Sequence, residues 1–554
     1  MQNRTDGTAQ RRLLTSTAGL ALCVGMLAAA PAHAAPADCS VAALNAKGVA
    51  NMTFDMAKDV PATAKAPEYC ETTGMVDMGG RKAGFRLKLP ASWNHKLIFF
   101  GVGGTGGQTK SPSANAVDMG EALGKGYATV VTDTGHQSKS STDGSFAITA
   151  VGVPNTAAIA DYNYGATHAV NLAAKAFLKA YYSQGSVMRA YFEGCSGGGR
   201  QALNTAGHYP EDFDGIIAGD PGVGDKFLMT LKTAKSQFDP PEARIPKEML
   251  PVIDKAVYAA CDAVDGVKDG LIQNPAACHW TPQSLACKPG QTTGCLTTAQ
   301  IQGFKNYLRP LTDRQGHVYY HGYYPTDVSG GVTNFNSYAL GKTPADDPKA
   351  PEPWKNEADS ARGWLLGDTQ LKYFYAHDPS YNSQSFPINA AGVADAKAMQ
   401  AYNRAIEDPK ARDDDPRRLA AFLAGGRKLI LYNGYSDPST SPDEVIAYYR
   451  KLARLHGGYA KLQSQVQLYM VPGMQHCRGG AGPDAFDTLT AMENWVEKDQ
   501  APDSIVASKI VQGKTTRTMP LCKYPTEARY HGGNVDDAAS WSCDARDHRL
   551  LGHS

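Results

Sequence analysis

The 554-residue chain has almost no excess charge: 55 Lys and Arg stand against 54 Asp and Glu. Nothing electrostatic therefore favours nucleic acid or an anionic membrane surface as a partner. Past residue 34 no stretch is long and apolar enough to span a bilayer. Internal repeats and low-complexity tracts are missing, so a repeat array is excluded. The Gly-rich segment "GVGGTGGQ" (101–108) lacks the Lys-Ser/Thr pair of a phosphate-cradling P-loop. What remains, 42% apolar residues with 56 glycines and 33 prolines, suits a loop-rich globular protein of more than one domain or of one domain with a large insertion.

The single long apolar run is N-terminal. Arg11 and Arg12 precede "LLTSTAGLALCVGMLAAA", which ends in the small-residue site "AHA" at Ala32–Ala34. That order predicts a signal peptide over 1–34, cleaved after Ala34, and a secreted or periplasmic protein. A membrane anchor fits less well, because Ser, Thr and Gly break the run and a cleavage site follows it. Of eleven cysteines, Cys23 leaves with the signal and ten stay. An even number in an exported chain argues for disulfides. Sequence alone leaves very many pairings open. Local proximity suggests Cys261–Cys278, Cys287–Cys295 and Cys522–Cys543, then Cys39–Cys70, with Cys195 left for Cys477.

Strand and helix patterns alternate through the first part. "KLIFFGVGG" (96–104), "YATVVTDTG" (127–135), "MRAYFEG" (188–194) and "DGIIAGDPG" (214–222) read as strands, and "ATHAVNLAAKAFLKAYY" (166–182) as a helix. From 240 to 405 the rhythm is lost among prolines, four cysteines and aromatic-rich segments. It returns with the strand "RKLILYNGYSDP" (427–438), the helix "SPDEVIAYYRKLARLHG" (441–457) and the strand "VQLYMVP" (466–472). The expectation is an α/β fold with a mainly parallel sheet, its halves at 35–239 and 406–554 interrupted by a lid over 240–405.

Gly194-Cys195-Ser196-Gly197-Gly198 satisfies G-x-S-x-G, with a strand before and a helix after. Such a turn lifts the serine hydroxyl above the sheet edge at a helix N-terminus. A serine nucleophile needs a base and an orienting acid, and in this architecture they follow in the order Ser, Asp, His. Asp437 and His476 each follow a strand and complete the expected triad with Ser196; Asp220 in "AGDPG" is a reserve acid. Each alone has a plain alternative, a turn aspartate or a surface histidine. The oxyanion donors expected are the N–H of Gly197 and one from the 103–107 loop, through Thr105 or Gly106. A Cys195–Cys477 bridge would join the serine's neighbour to the histidine's neighbour. In "CDAVDGVKDGLI" (261–272), Asp262, Asp265 and Asp269, with the carbonyls of Val267 and Leu271, suit a structural Ca²⁺; a solvated acidic turn is the alternative. The terminal bidentate Glu of an EF-hand is absent.

Together, "GCSGGGRQAL", "TDTGHQ", "PEDFDGIIAG", "LILYNGYSDP", "PGMQHC" and the acidic loop resemble the tannase and feruloyl esterase family of α/β-hydrolases over nearly the whole mature chain. The resemblance implies the triad Ser196, Asp437 and His476, the disulfide clamp beside it, a calcium-binding lid and a carboxylic-ester substrate with an aromatic acyl group. The five pairings also match the pattern of the family's disulfide-rich members. This chain departs from many relatives in the small Gly197 after the serine and in a "GGTGG" loop without Asn, both bordering the acyl pocket. Tyr338, Trp354, Trp364 and Phe374 are candidates to grip an aromatic ring, and Lys355 or Arg362 to pair with a substrate carboxylate. Core packing and solvation are the alternatives for them. The expected function is a serine esterase acting on feruloyl, galloyl or terephthaloyl esters, small or carried on a polysaccharide. Its rivals are a serine amidase or peptidase, and a calcium-stapled binding protein on an inactive hydrolase fold. Oligomeric state is left open.

Overall fold

The computed structural model describes residues 38–109, 119–183, 185–331, 333–344, 347–406 and 415–545. The expected signal peptide, 1–34, lies outside the described residues. A nine-stranded sheet organises the rest: β1 (Met52–Val60), β2 (Tyr69–Asp77), β3 (Lys82–Pro90), β4 (Lys96–Phe100), β5 (Ala128–Thr132), β6 (Arg189–Cys195), β7 (Gly215–Gly219), β8 (Lys428–Gly434) and β9 (Val466–Val471). Their order is β1-β2-β3-β5-β4-β6-β7-β8-β9. From β5 to β9 every pairing is parallel. The leading β1–β3 meander, which the reading from residue 96 onward omitted, is antiparallel and joins through β3 to β5.

Parallel strands covered on both faces read as continuous apolar runs, and these do. Alternation still decides which side each residue serves. Leu97, Phe99, Phe192, Ile216, Leu429 and Leu431 enter one core cluster. Ile98, Phe100, Tyr191, Ile217, Ile430 and Tyr432 enter another on the opposite face. Helices α1 (Ala166–Tyr182), α2 (Gly197–His208), α5 (Pro442–Leu455) and α6 (Thr488–Lys498) flank the sheet, and α3 (Lys226–Phe238) packs against α4 (Arg362–Thr369). In α5, Pro442 opens the first turn beside Asp443 and Glu444, and Arg454 sits in the last, the charge order the helix dipole favours.

A third core cluster lies off the sheet, built from Leu228 and Leu231 of α3 through Phe304, Phe335 and Trp364 to Tyr402. Helix α3 packs on α4 within this cluster. All five cysteine pairings read from the sequence are present: Cys39–Cys70, Cys195–Cys477, Cys261–Cys278, Cys287–Cys295 and Cys522–Cys543. Among the described residues no helix is long and apolar enough to cross a membrane.

Candidate active site

Four loops leave the carboxyl ends of β4, β6, β8 and β9 on one edge of the sheet. Ser196 sits directly between β6 and α2 at φ 62°, a conformation an L-residue holds only under restraint. Its N–H donates to Gly219 O at 3.0 Å and its carbonyl accepts from Arg200 N at 3.0 Å. The small neighbours are sterically required. A Cβ on Gly197 would lie 2.6 Å from Gly104 O, and one on Gly199 would lie 2.4 Å from Gly219 O. The unusual Gly197 thus lets the 101–107 loop approach the serine closely.

His476, after β9, places Nε2 2.8 Å from Ser196 Oγ and Nδ1 2.7 Å from Asp437 Oδ2. Asp437 keeps that oxygen available because its Oδ1 accepts the N–H groups of Ser439 (2.7 Å) and Thr440 (2.9 Å). The structure therefore brings Ser196, His476 and Asp437 together in a line, with His476 and Asp437 buried. Burial, and next the Lys226 ammonium, hold His476 below the ordinary imidazole value, so it rests neutral. Burial raises Asp437, opposed chiefly by Lys226 and then by its backbone N–H partners.

Asp220, the reserve acid, does not face His476 Nδ1. Its Oδ1 accepts from Gly434 N at 2.9 Å and its Oδ2 from Cys477 N at 2.6 Å, so it ties β8 to the histidine loop. Burial, then the Asp437 charge, push it up to about 8. Asp327 and Gly330 brace the same loops. Asp327 accepts from Ser436 Oγ at 2.7 Å, and Gln475 Nε2 donates to Asp327 O (2.8 Å) and Gly330 O (2.6 Å).

A cavity of about 260 Å³ opens on Ser196 and His476, lined also by Gly103, Gly104, Tyr338, Arg362 and Leu365. Tyr338 stands edge-on to the His476 ring at 5.5 Å, and Arg362 Nη2 donates to Ser141 Oγ at 3.2 Å. The other four substrate candidates lie elsewhere. Trp364 is buried in the off-sheet core against Trp354 at 5.1 Å, and Lys355 pairs with Glu352 at 3.5 Å. Phe374 packs with Ala147 and Tyr162 in a small core cluster. The oxyanion expectation is corrected in one respect. Thr105 N–H donates to Ser141 O at 2.9 Å and Gly106 N–H to Gly103 O at 3.2 Å, so both donors are committed to the loop's own turn. Gly104 lies against Gly197 and on the cavity wall.

Sequence reading missed Lys226, the first residue of α3, whose Nζ donates to Ser196 Oγ at 3.3 Å. The available signal was a cation at a helix start, the end where the dipole disfavours one. In the acidic loop, Asp262 Oδ1 accepts the N–H groups of Asp269, Gly270 and Leu271, and Asp265 Oδ1 accepts from Val267 N. The buried Asp269 Oδ2 accepts no hydrogen bond and lies 3.5 Å from Arg517 Nη1. Burial raises Asp265 to about 6, and its acidic neighbours Asp269 and Asp262 push the same way.

A hydroxyl, a carboxylate and an imidazole delivered in this chain order to the carboxyl edge of a parallel sheet are the arrangement of an α/β-hydrolase, and this chain is one. Its residues 70–544 match the family model described as tannase and feruloyl esterase. The chain belongs to that family and is a carboxylic-ester hydrolase. It is 30% identical over 540 residues to mono(2-hydroxyethyl) terephthalate hydrolase of Piscinibacter sakaiensis, covering 88% of this chain and 87% of that protein. It is 27% identical over 483 residues to the probable feruloyl esterase B-2 of Neosartorya fischeri, covering 82% of each. The crystal structure of feruloyl esterase B from Aspergillus oryzae superposes with a TM-score of 0.72 at 24% identity, covering 91% of this chain and 99% of that one.

Proposed function

We propose that the protein is an exported serine esterase that cleaves esters of aromatic acids through an acyl-enzyme. The observation that carries this reading is the unbroken line Ser196 Oγ–His476–Asp437 at 2.8 and 2.7 Å on a cavity floor. His476 Nε2 takes the Ser196 proton as Oγ attacks the ester carbonyl, and Asp437 steadies the imidazolium. The N–H groups of Gly197 and Gly104 hold the oxyanion. The alcohol leaves with the proton from His476, and water activated by the same nitrogen then releases the acid. The reading includes a signal peptide removed after Ala34 and a lid over 240–405 covering the site. It is supported by ten paired cysteines, which suit an oxidising compartment.

The cavity holds an aromatic ring beside Tyr338, and Arg362 pairs with a carboxylate borne by the acyl group, as in a terephthaloyl monoester. The test is acid release from methyl ferulate, methyl gallate, mono(2-hydroxyethyl) terephthalate and a plain short-chain ester. Arg362→Gln should raise KM about tenfold or more for the carboxylate-bearing ester, the loss expected for one charge-assisted hydrogen bond, and leave methyl ferulate within about twofold. Equal effects on both would remove Arg362 from substrate recognition.

Ca²⁺ belongs to the same proposal. Asp262, Asp265 and Asp269 with the carbonyls of Val267 and Leu271 would hold it, and the hydrogen-bond-free Asp269 Oδ2 and the crowded, half-buried Asp265 fit a cation. Among the described residues, the acidic, histidine or cysteine ligand atoms that gather in threes within 4.8 Å lie around Asp220, so backbone carbonyls must complete the shell here. The ion would neutralise this loop and stiffen the segment closed by Cys261–Cys278. Chelation should lower Tm by several degrees, and Ca²⁺ should restore it in the wild type but not in Asp265→Asn; a Tm indifferent to chelator excludes the site.

A further inference from the structure

Helix α3 carries three buried lysines, and they are satisfied very differently. Lys232 Nζ donates to Tyr307 O at 3.0 Å and Arg309 O at 2.5 Å. Lys235 Nζ donates to three carbonyls, Gln384 O, Phe386 O and Ile388 O, at 2.8 to 3.0 Å. Both tie the lid together. Lys226 reaches no carbonyl: its one hydrogen-bond partner among the described residues is Ser196 Oγ at 3.3 Å. Its stem lies where a Cβ on Gly222 would come within 2.8 Å of Lys226 Cδ, so a bare glycine makes its room. An ammonium that is buried, at the unfavourable end of a helix and joined only to a hydroxyl is costly to hold. Such costs persist where chemistry requires them.

We propose that Lys226 is a further catalytic residue of the ester hydrolysis: its ammonium donates to Ser196 Oγ and holds the negative charge gathering on that oxygen as the hydroxyl proton passes to His476. Lys226 gives up no proton in the step. The Oγ–H bond breaks, the proton goes to His476 Nε2, and the Oγ electron pair forms the new bond to the ester carbon. This rests on the serine-esterase reading. The charged groups facing the ammonium are Asp437 after β8, Asp220 after β7, Arg362 of α4 and Arg200 of α2, with His476 on the far side of the hydroxyl.

The test is Lys226→Met and Lys226→Gln, measured for kcat/KM against pH and for Tm, beside Ser196→Ala. Each neutral variant should lose on the order of a hundredfold in kcat/KM, as when an oxyanion donor is removed. Its acidic limb should move to higher pH, because removing a cation lets His476 keep its proton longer. Tm is expected to fall as well, since removing one partner of the buried Lys226–Asp437 charges leaves the other uncompensated, so the limb and kcat/KM below the new Tm decide; a lysine needed only for packing would lower Tm and leave the limb in place. In the wild type, kcat/KM should fall above about pH 8, where burial leaves the Lys226 proton labile. A folded neutral variant within about twofold of wild type, with its acidic limb unmoved, overturns the proposal. So does a wild-type profile flat to high pH, whatever the variants do. If Ser196→Ala itself still hydrolyses ester, it is the serine-esterase reading that has failed; if Ser196→Ala is dead and Lys226→Met is unaffected, only the lysine's role is lost.

Discussion

Ser196→Ala should lower kcat for the best aromatic ester by about four to six orders of magnitude with KM little changed. The hydroxyl forms the covalent bond in the proposed reaction, and a methyl group cannot replace it. His476→Ala should reach the same floor, and the double variant should fall no lower, because the two act as one unit and only cavity binding and oxyanion donors remain. Asp437→Asn should lose about 10⁴-fold, since an amide at 2.7 Å from Nδ1 favours the tautomer that leaves Nε2 protonated and unable to accept from Ser196. The check is steady-state hydrolysis normalised by phosphonate titration of the serine, with Ser196→Ala unlabelled. More than about one percent of wild-type kcat in a homogeneous Ser196→Ala preparation would end the serine mechanism.

What the sequence showed follows from what one dimension can encode. Strands β4 and β6–β9 were legible because burial on both faces writes an unbroken apolar run between turn residues. β1 was not: its burial alternates only over the first positions and then lapses toward solvent. The triad was legible because each member follows a strand at its carboxyl end, which places three distant residues at one edge. The commitment of the Thr105 and Gly106 N–H groups was not, because only the folded loop turns them back onto carbonyls. Trp364 and Tyr338 show the limit for residues 240–405. Both are buried aromatics in irregular, cysteine-bearing sequence. Only the packing of α4 on α3 decides that one fills the core and the other borders the cavity. Lys226 was missed for a similar reason: its helix is buried at every position but Phe227, so the pattern gives no face by which to sort three lysines.

Opening the Cys195–Cys477 bridge is expected to produce the second large loss. The bridge joins residues 282 apart in sequence, and in the chain-entropy picture closing so long a loop is worth roughly 5 kcal/mol, less whatever the native state spends in strain. Cys195→Ala/Cys477→Ala should therefore lower Tm markedly, whereas removing Cys287–Cys295, which spans only 8 residues, should cost less. The functional loss is separate and should be visible well below the new Tm. Cys477 is adjacent to His476, sits at φ 66° and gives its N–H to Asp220. Without the bridge, that loop keeps the Asp220 contact and the His476–Ser196 hydrogen bond, while Gln475 anchors its other side to Asp327 and Gly330. A shift of about 1 Å in Nε2 relative to Oγ is enough for a kcat loss on the order of a hundredfold. A double variant with lowered Tm but kcat within about twofold of wild type would confine the bridge to stability. A hundredfold lower kcat, with the phosphonate still reacting slowly and completely, would show that the two cysteines hold the serine and histidine in register.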